Sequence, residues 1–498
     1  MEEKVFLEDI YPQNFLYAKT IRSPVAKGHL KFIQFPKMPE EYIFITARDI
    51  PGINTLSDTS MPILAEGDLS YIGEPIALLL GEDKTKLNEF ASMCNVICDE
   101  GKPVFSCLET TENEPAVKRE LLIGETKEAF QRQGKIVTGT YITGIQDHWY
   151  AEPAGAITWF KTEQEKKDVK TKKSNPAFEK TLVVKTATQW SHHVKRSVAQ
   201  TLGLDPSDIS VEPTSLSLHM DGKLWYPSFL ACHAALGTFI TGRPVRLILN
   251  REEDFLYSPK RFSTNVDVSS VVDEEGNISA TEIDIFVNLG AHEVNGREIL
   301  DQACLGALGF YDLGDTKISA RADKTNIPPQ GPFSGFGMSQ GFFSLERHVS
   351  MIADLTGQDP AVWRINHLRP ILSSAGKNQV FAAELINTAA KMGDYHRKWA
   401  SYELLRQSNK GKQLEKGENP RGIGIALGFQ GNGLLYTGED KGAYSVEVTL
   451  TKESKLEIKT SISSAEDYVK IWEKVASQVM SLEPDMIRII TENAPDSG

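Results

Sequence analysis

Apolar residues recur along this chain in two ways, which together predict a mixture of strands and helices. Compact apolar runs at 42–46, 76–80 and 181–186 are typical of buried strands. Apolar residues at every third or fourth position predict helices over 84–94 and Met338–Leu355. Because strand-like and helix-like segments alternate, the pattern indicates an α/β (mixed α+β) fold.

Two more helices are indicated by their spacing and composition. Val194, Val198 and Leu202 recur every four residues, and Gly203 is suited to end the helix that carries them. Residues 228–240 are apolar on almost every side, which predicts a helix buried in the core. Both helices follow strand-like runs, as expected of an α/β protein.

The last part of the chain predicts a further strand and, after a start signal at Ser464 and Asp467, a helix that carries Val469, Trp472 and Val479. Tyr444, Val446, Val448 and Leu450 alternate with other residues, which is typical of a half-buried strand. The sequence ends one loop after an apolar, strand-like run at 486–490. Since a domain rarely stops just after a buried strand, we expect the last domain to be incomplete at its C-terminal end.

Two charged stretches lack a clear period. Residues 111–135 are charged and weakly patterned, and we interpret them as a linker. Residues 161–180 mix both signs of charge, which favours a solvated loop between strands over a binding tail.

Composition excludes several kinds of partner. The 498 residues carry 54 Lys and Arg against 67 Asp and Glu, a net charge of −13, so no overall basic field exists to attract nucleic acid or a membrane surface.

No secretory signal is visible at the N-terminus, and an odd number of scattered cysteines predicts reduced thiols in the cytoplasm. Cys94 and Cys98 are four apart, but no further ligands complete a zinc site, so we predict no metal site and interpret them as core thiols.

Two loops have the composition of functional sites. Glycines within residues 330–340 precede a predicted helix, where free N–H groups suit an anion; a tight turn into the helix explains them equally well. Residues 144–153 include His148 beside aromatic residues, where a histidine is more often a core residue than a ligand. No Walker loop, nucleophile elbow or His-Glu-x-x-His is present, so the catalytic residues stay unknown.

Several short motifs, taken in order, resemble the large molybdenum-cofactor subunit of the xanthine dehydrogenase/aldehyde oxidase family. They are Arg22-Ser23-Pro24, Ala47-Arg48-Asp49-Ile50-Pro51-Gly52, Tyr71-Ile72-Gly73-Glu74-Pro75, Gln146, His148, Glu152-Pro153, Thr188-Gln189, Gly242-Arg243-Pro244-Val245-Arg246, Arg251-Glu252, Asp254, Gly335-Phe336-Gly337, Gln340 and Glu346. The resemblance implies an α/β hammerhead domain over 1–130 and a molybdopterin-binding domain whose first part is 131–385. Its second part, 386–498, is expected to be incomplete.

The same resemblance implies a function, a cofactor and partners. Such enzymes hydroxylate a carbon of an N-heterocycle or aldehyde with water as the oxygen source, using molybdopterin, and pass electrons to iron–sulfur and FAD subunits or domains. The implied cofactor-binding residues are Gln189, Gly222, Gly335, Phe336 and Gly337. A second chain is expected to supply the missing C-terminal part. The alternative is a non-catalytic, degenerate relative that acts as a structural or binding subunit.

The chain departs from the family at several of its cofactor and substrate loops. The family's glycine-rich loop falls at 217–223, which reads Ser-Leu-His-Met-Asp-Gly-Lys here, and a family acidic residue is replaced by Leu224. Ser334 stands where the family has an arginine, and residues 465–467 read Ala-Glu-Asp in place of Gly-Gln-Gly. Carboxylates in these loops repel a phosphate-bearing cofactor, so we predict that the chain alone does not hold molybdenum.

Overall fold

The protein is a mixed α/β structure built around two large sheets. The computed structural model describes residues 6–110, 114–161, 181–216, 220–369, 378–408, 421–429, 446–453, 455–460 and 466–490. The strands are β1 (Leu16–Arg22), β2 (Gly28–Gln34), β3 (Ile43–Thr46), β4 (Asp68–Leu69), β5 (Pro75–Gly81), β6 (Asn95–Glu100), β7 (Val117–Ile123), β8 (Lys135–Thr143), β9 (Gly155–Phe160), β10 (Leu182–Thr186), β11 (Ile209–Pro213), β12 (Val245–Ile248), β13 (Thr264–Val272), β14 (Ile278–Gly290), β15 (Asp315–Lys324), β16 (Glu447–Leu450), β17 (Leu456–Lys459) and β18 (Ile487–Ile490). The helices are α1 (Lys84–Met93), α2 (Thr126–Ala129), α3 (Ser191–Leu202), α4 (Tyr226–Thr241), α5 (Arg251–Tyr257), α6 (Gly296–Leu308), α7 (Met338–Leu355), α8 (Pro360–Asn366), α9 (Asn378–Gly393), α10 (Tyr395–Ser408) and α11 (Glu466–Met480).

The first large sheet has seven strands in the order β11-β10-β9-β12-β1-β5-β3. Helices α3 and α4 pack against it, and α4 is buried from Tyr226 to Thr238, as its apolar composition predicted. Every residue of β5 is buried, and Gly203 ends α3 in the left-handed conformation with φ 65°. These elements confirm the predicted strands at 42–46, 76–80 and 181–186 and both predicted helices.

Strand β1 joins the N-terminal part of the chain to the part that follows. It pairs with β5 on one side and with β12 on the other, where Leu16 lies opposite Val245 in parallel register. A separate three-stranded sheet in the order β4-β2-β6 is formed entirely by N-terminal strands. Strands from the first two predicted domains therefore share one sheet, and the domain limits at residues 130 and 385 stay a prediction.

The second large sheet has five strands in the order β7-β15-β14-β13-β8, with α6 and α7 packed against it. Its strand β7 corrects the interpretation of residues 111–135 as a linker. The strand is paired on one side only, with β15, and its side chains are mostly exposed while Val117 is buried. Because an edge strand tolerates charged side chains, its apolar alternation is weak, and the sequence resembles a linker.

A small sheet in the order β16-β17-β18 lies near the C-terminal end with α11. The strand predicted around Val448 is present as β16, but the prediction that it is half-buried was wrong, because Val448 is 57% exposed and Leu450 is 67% exposed. Among the described residues, strand β16 pairs only with β17, and α11 packs beside β18 at the opposite edge, so the helix leaves β16 uncovered. Tyr444 lies outside the described residues.

The remaining sequence predictions concern thiols and charged loops. Cys94 and Cys98, which were expected to be core thiols, are half-buried and pack against the edge of an apolar cluster. Cys107 and Cys232 are buried, Cys304 is half-buried, and all five are free thiols. Within the described ranges, no helix is long and apolar enough to cross a membrane. Most of the charged stretch at 161–180 lies outside the described residues.

Candidate functional site

Four loops meet at one place, where the two sheets come together with the start of α7. They are residues 146–150, 188–190, 220–223 and 331–337, and we refer to them as the four-loop cluster. Hydrogen bonds connect them, among them Gln189 N–H to Lys223 O at 2.8 Å, Ser334 N–H to Met220 O at 3.1 Å, and His148 Nε2–H to Pro332 O at 2.9 Å. The structure thus brings together the loops that carry all five of the predicted cofactor-binding residues.

His148 is the central packing residue of the cluster. Its ring stacks against Phe333 with centroids 4.5 Å apart and against Tyr150 with centroids 5.5 Å apart. Burial lowers the pKa of His148 to about 4, so the ring is neutral near pH 7 and donates its Nε2 proton to the Pro332 carbonyl. A Cβ on Gly222 would lie 2.6 Å from this ring, which explains why glycine stands at that position. The geometry is that of a core histidine.

Gln189 carries a buried polar atom that lacks a partner. Its Nε2 donates to Asp221 Oδ1 over 3.2 Å, and its backbone is fixed by Lys223. Its Oε1 is buried and accepts no hydrogen bond from the described residues. A buried acceptor without a donor is costly, so this oxygen indicates a position where a bound group or water donates.

Residues 333–337 form a tight turn, which we call the Gly-Phe-Gly turn. Gly335 has φ 83° and Phe336 has φ 49°, both in the left-handed region. Within the described residues, the backbone N–H groups of Gly335 and Gly337 donate to no acceptor. Gly337 also has a packing role, because a Cβ there would lie 2.1 Å from the carbonyl oxygen of Ile299 on α6. The glycines therefore serve both the tight turn and the contact between α6 and α7.

One buried and one partly buried ion pair lie beside the cluster, and spacing alone did not predict either of them. Lys223 Nζ lies 3.4 Å from Glu152 Oε2, and Lys260 Nζ lies 2.8 Å from Asp147 Oδ2. Burial lowers the pKa of Lys223, although the Glu152 carboxylate opposes the shift. Burial is the largest influence on the Asp147 carboxyl and raises its pKa, but the hydrogen bonds from Lys260 and the Trp149 N–H and the positive charge of Lys260 together outweigh it, so the net pKa is lowered.

A small cavity lies between these pairs. About 20 Å³ of it is open to the centre of a water molecule, and its walls include Asp147, Tyr150, Gly222, Lys223 and Asp254. That space fits about one water molecule. It is therefore part of the buried support of the cluster and not a site for a large ligand.

Arg261 is a further residue that the sequence did not single out. It is 9% exposed, and its guanidinium donates to Ser334 O, Phe336 O and Gln340 Oε1, each at 3.2 Å. Nothing in its spacing pointed to this role, since Lys260-Arg261 reads as an ordinary charged pair between a helix and a strand.

The altered family positions are only partly described. Asp221 has φ 65°, and its carboxylate accepts from Gln189; Leu224 is half-buried. Residues 217–219, Ala465 and the side chains of Glu466 and Asp467 lie outside the described residues. Among the described residues, no group of three or more His, Cys, Asp or Glu side chains is arranged to hold a metal ion.

Comparison with known proteins identifies the part of the chain that contains the cluster. Residues 176–368 match the family of molybdopterin cofactor-binding domains. Aldehyde oxidase 2 of Cavia porcellus is 24% identical over 376 residues, which are 75% of this chain and 26% of the relative. The nicotinate dehydrogenase large molybdopterin subunit of Eubacterium barkeri is 23% identical over 426 residues, 80% of this chain and 94% of the relative. The chain thus spans about a quarter of the aldehyde oxidase but nearly all of the nicotinate dehydrogenase subunit.

The fold is also shared with solved structures. The aldehyde oxidoreductase of Desulfovibrio gigas superimposes with a TM-score of 0.78 at 19% identity, covering 98% of this chain and 54% of that chain. The likeness therefore extends over nearly the whole described fold, including both large sheets. It agrees with the matched domain and relatives, which confirm the resemblance drawn from the motifs: residues 176–368 match the molybdopterin cofactor-binding domain family, and the chain is similar to members of the xanthine dehydrogenase/aldehyde oxidase family.

Proposed function

We propose that this chain is the component of a molybdenum hydroxylase-type oxidoreductase that binds molybdopterin through the four-loop cluster. The proposal rests on the match to the molybdopterin cofactor-binding domain family and on one observation above all: the buried Oε1 of Gln189 has no hydrogen-bond donor among the described residues. When bound, the cofactor supplies oxidative hydroxylation of an N-heterocycle or aldehyde with water as the oxygen source. The residues of this chain bind and orient it.

The donors and acceptors of the cluster suit different parts of such a cofactor. Gln189 Oε1 can accept from an N–H group on the edge of a pterin ring. The free N–H groups of Gly335 and Gly337 lie at the start of the 18-residue helix α7, where the helix dipole favours an oxyanion. The two kinds of contact lie on loops that hydrogen bonds connect through Lys223 and Met220.

Other residues of the cluster disfavour a phosphate. The Asp221 carboxylate lies within hydrogen-bonding distance of Gln189 and repels an anion, and the short, neutral Ser334 replaces an arginine. We therefore propose that a second chain completes the pocket, and that the isolated chain retains little molybdenum.

Exposed apolar side chains near the C-terminal end support such a partner. Val448 and Leu450 on β16, and Ile471, Val475 and Val479 on α11, are each between 44% and 76% exposed. Monomeric proteins rarely leave this many large apolar side chains uncovered in one small unit. By resemblance, iron–sulfur and FAD subunits complete the electron path, and we expect the assembly in the cytoplasm.

The test is to purify the chain with its partners from its native host and measure molybdenum and pterin. We expect both in the assembly and much less in the isolated chain. An assembly that contains the partners but neither molybdenum nor pterin would instead favour the non-catalytic structural or binding subunit.

A further inference from the structure

We propose that Arg261 is the positioning residue that sets the Gly-Phe-Gly turn, an inference that rests on the proposed function for its chemical meaning. Its guanidinium holds the carbonyl oxygens of Ser334 and Phe336, on either side of Gly335. The same group also donates to Gln340 Oε1, one turn into α7. One side chain thereby fixes the turn and the start of the helix together.

Because peptide groups are planar, these hydrogen bonds to carbonyl oxygens also fix the direction of the N–H groups that follow them. In a trans peptide the C=O and the following N–H point in opposite directions. Because Arg261 holds the carbonyls of Ser334 and Phe336, the N–H groups of Gly335 and Gly337 must face away from it. Neither of these two N–H groups donates to an acceptor among the described residues. Arg261 therefore determines where the free donors of the turn point.

The turn needs such support because its backbone is strained. Phe336 has φ 49°, a left-handed conformation that is costly for a non-glycine residue and persists only when its surroundings fix it. Arg261 is itself fixed, since its N–H donates to Gln146 O at 2.9 Å and its guanidinium lies 4.3 Å from the centre of the Phe333 ring. A rigidly held guanidinium can thus maintain the strained turn.

Arg261 differs from two other buried cations in having no carboxylate partner among the described residues. Lys260, the preceding residue, is paired with Asp147, and the buried Arg364 is paired with Glu346. Within the described residues Arg261 forms no ion pair, and all its partners are neutral oxygens. Its positive charge therefore stays available to an anionic group bound at the turn.

Hydrogen–deuterium exchange of the intact chain tests the positioning directly. Arg261→Lys keeps the charge but loses the planar fork, and Arg261→Gln loses both. We expect exchange in the peptide 333–341 to rise at least about tenfold in either variant, which corresponds to loss of local protection. Arg246→Lys is the matched control, because Arg246 is also buried, donates to Glu8 O at 3.3 Å and lies over the Tyr11 ring. Equal exchange in wild type and both Arg261 variants would overturn the proposal.

A second measurement separates positioning from general stability. In the native assembly we expect Arg261→Lys to lower the molybdenum content or to change the electron paramagnetic resonance spectrum of Mo(V). The melting temperatures of Arg261→Lys and of the control Arg246→Lys should be equal. Unchanged molybdenum content together with an unchanged spectrum would contradict the inference. If wild type holds no molybdenum, the proposed function fails, and the exchange experiment alone decides the role of Arg261.

Discussion

His148 Nε2 donates to the carbonyl oxygen of Pro332 over 2.9 Å, and this buried bond ties the loop before β9 to the loop before α7. The two residues are 184 positions apart in sequence. The contact brings Tyr150 and Phe333 against the same imidazole ring. A histidine that reads as an ordinary core residue thus holds together the loops on which the proposed site depends.

The protonation of His148 makes stability depend on pH. Burial lowers its pKa from 6.5 to about 4, so as the pH falls the unfolded chain takes up the proton first. Its contribution is complete above about pH 6.5 and is lost as the pH falls toward 4. We expect His148→Gln, which can still donate to Pro332, to reduce the pH slope of the unfolding free energy by up to about 1.4 kcal/mol per pH unit in this window.

Chemical denaturation at a series of pH values measures that slope. Above pH 7.5 the variant and wild type should have the same slope, which provides an internal control. An identical slope between pH 6 and 4.5 would mean that His148 does not keep a depressed pKa in the folded protein.

Gly337 should tolerate no side chain. In Gly337→Ala the new Cβ would meet Ile299 O at 2.1 Å and Ala303 Cβ at 2.9 Å, forcing α6 and α7 apart. We expect a loss of roughly 1–3 kcal/mol in unfolding free energy. Gly393→Ala is the control, because nothing lies within 4 Å of the added Cβ and its φ is not positive. Comparable stability of the two variants would rule out the close helix contact.

The ion pair between Lys223 and Glu152 should show strong coupling. Lys223→Met leaves the Glu152 carboxylate buried without its cation, although Leu7 N–H still donates to it over 2.7 Å. We expect this variant to lose roughly 3 kcal/mol and the double variant with Glu152→Gln to regain part of that loss. A double-mutant cycle by denaturant unfolding measures the coupling, and strictly additive losses would show that the pair is not coupled.

The exposed apolar residues of α11 should matter for assembly and not for folding. Val479 is 76% exposed, so Val479→Glu should leave the melting temperature of the isolated chain unchanged and weaken its binding to the partner chain. Gln478→Glu introduces the same charge at the neighbouring exposed position and serves as the control. Co-purification with the partner measures the effect; equal recovery of both variants would place the interface elsewhere.

The sequence predicted the elements whose residues have a strong apolar period. The run at 76–80 is β5, which is buried along its whole length, and α7 begins and ends at the predicted residues 338 and 355. Two strands at sheet edges were missed or misjudged: β7 has a weak apolar pattern and was interpreted as a linker, whereas β16 has a clear apolar alternation but is exposed and not half-buried. An edge strand has one unpaired side, and its side chains face water more often.

The sequence predicted the loops that form the candidate site, but not the residues that hold those loops in place. Gln189 and the Gly-Phe-Gly turn are short motifs that the family resemblance could locate. The contributions of Lys260 and Arg261 depend on contacts between segments far apart in the chain, such as Arg261 with Ser334, 73 positions away. No local spacing encodes such contacts, so these residues were found only in the folded structure.

We propose that the four-loop cluster holds molybdopterin in the native assembly. The amount of molybdenum per chain, measured in wild type and in Gln189→Ala, tests this proposal. Gln200→Ala is the matched control, because Gln200 Nε2 donates to Thr55 O at 2.9 Å, a contact between α3 and a neighbouring loop. We expect about one molybdenum per chain in wild type and Gln200→Ala, and a several-fold loss in Gln189→Ala, since the Gln189 Oε1 has no other partner in the part of the chain that the structure describes. An assembly without molybdenum, or an equal molybdenum content in Gln189→Ala and wild type, would contradict the proposal that the four-loop cluster holds molybdopterin.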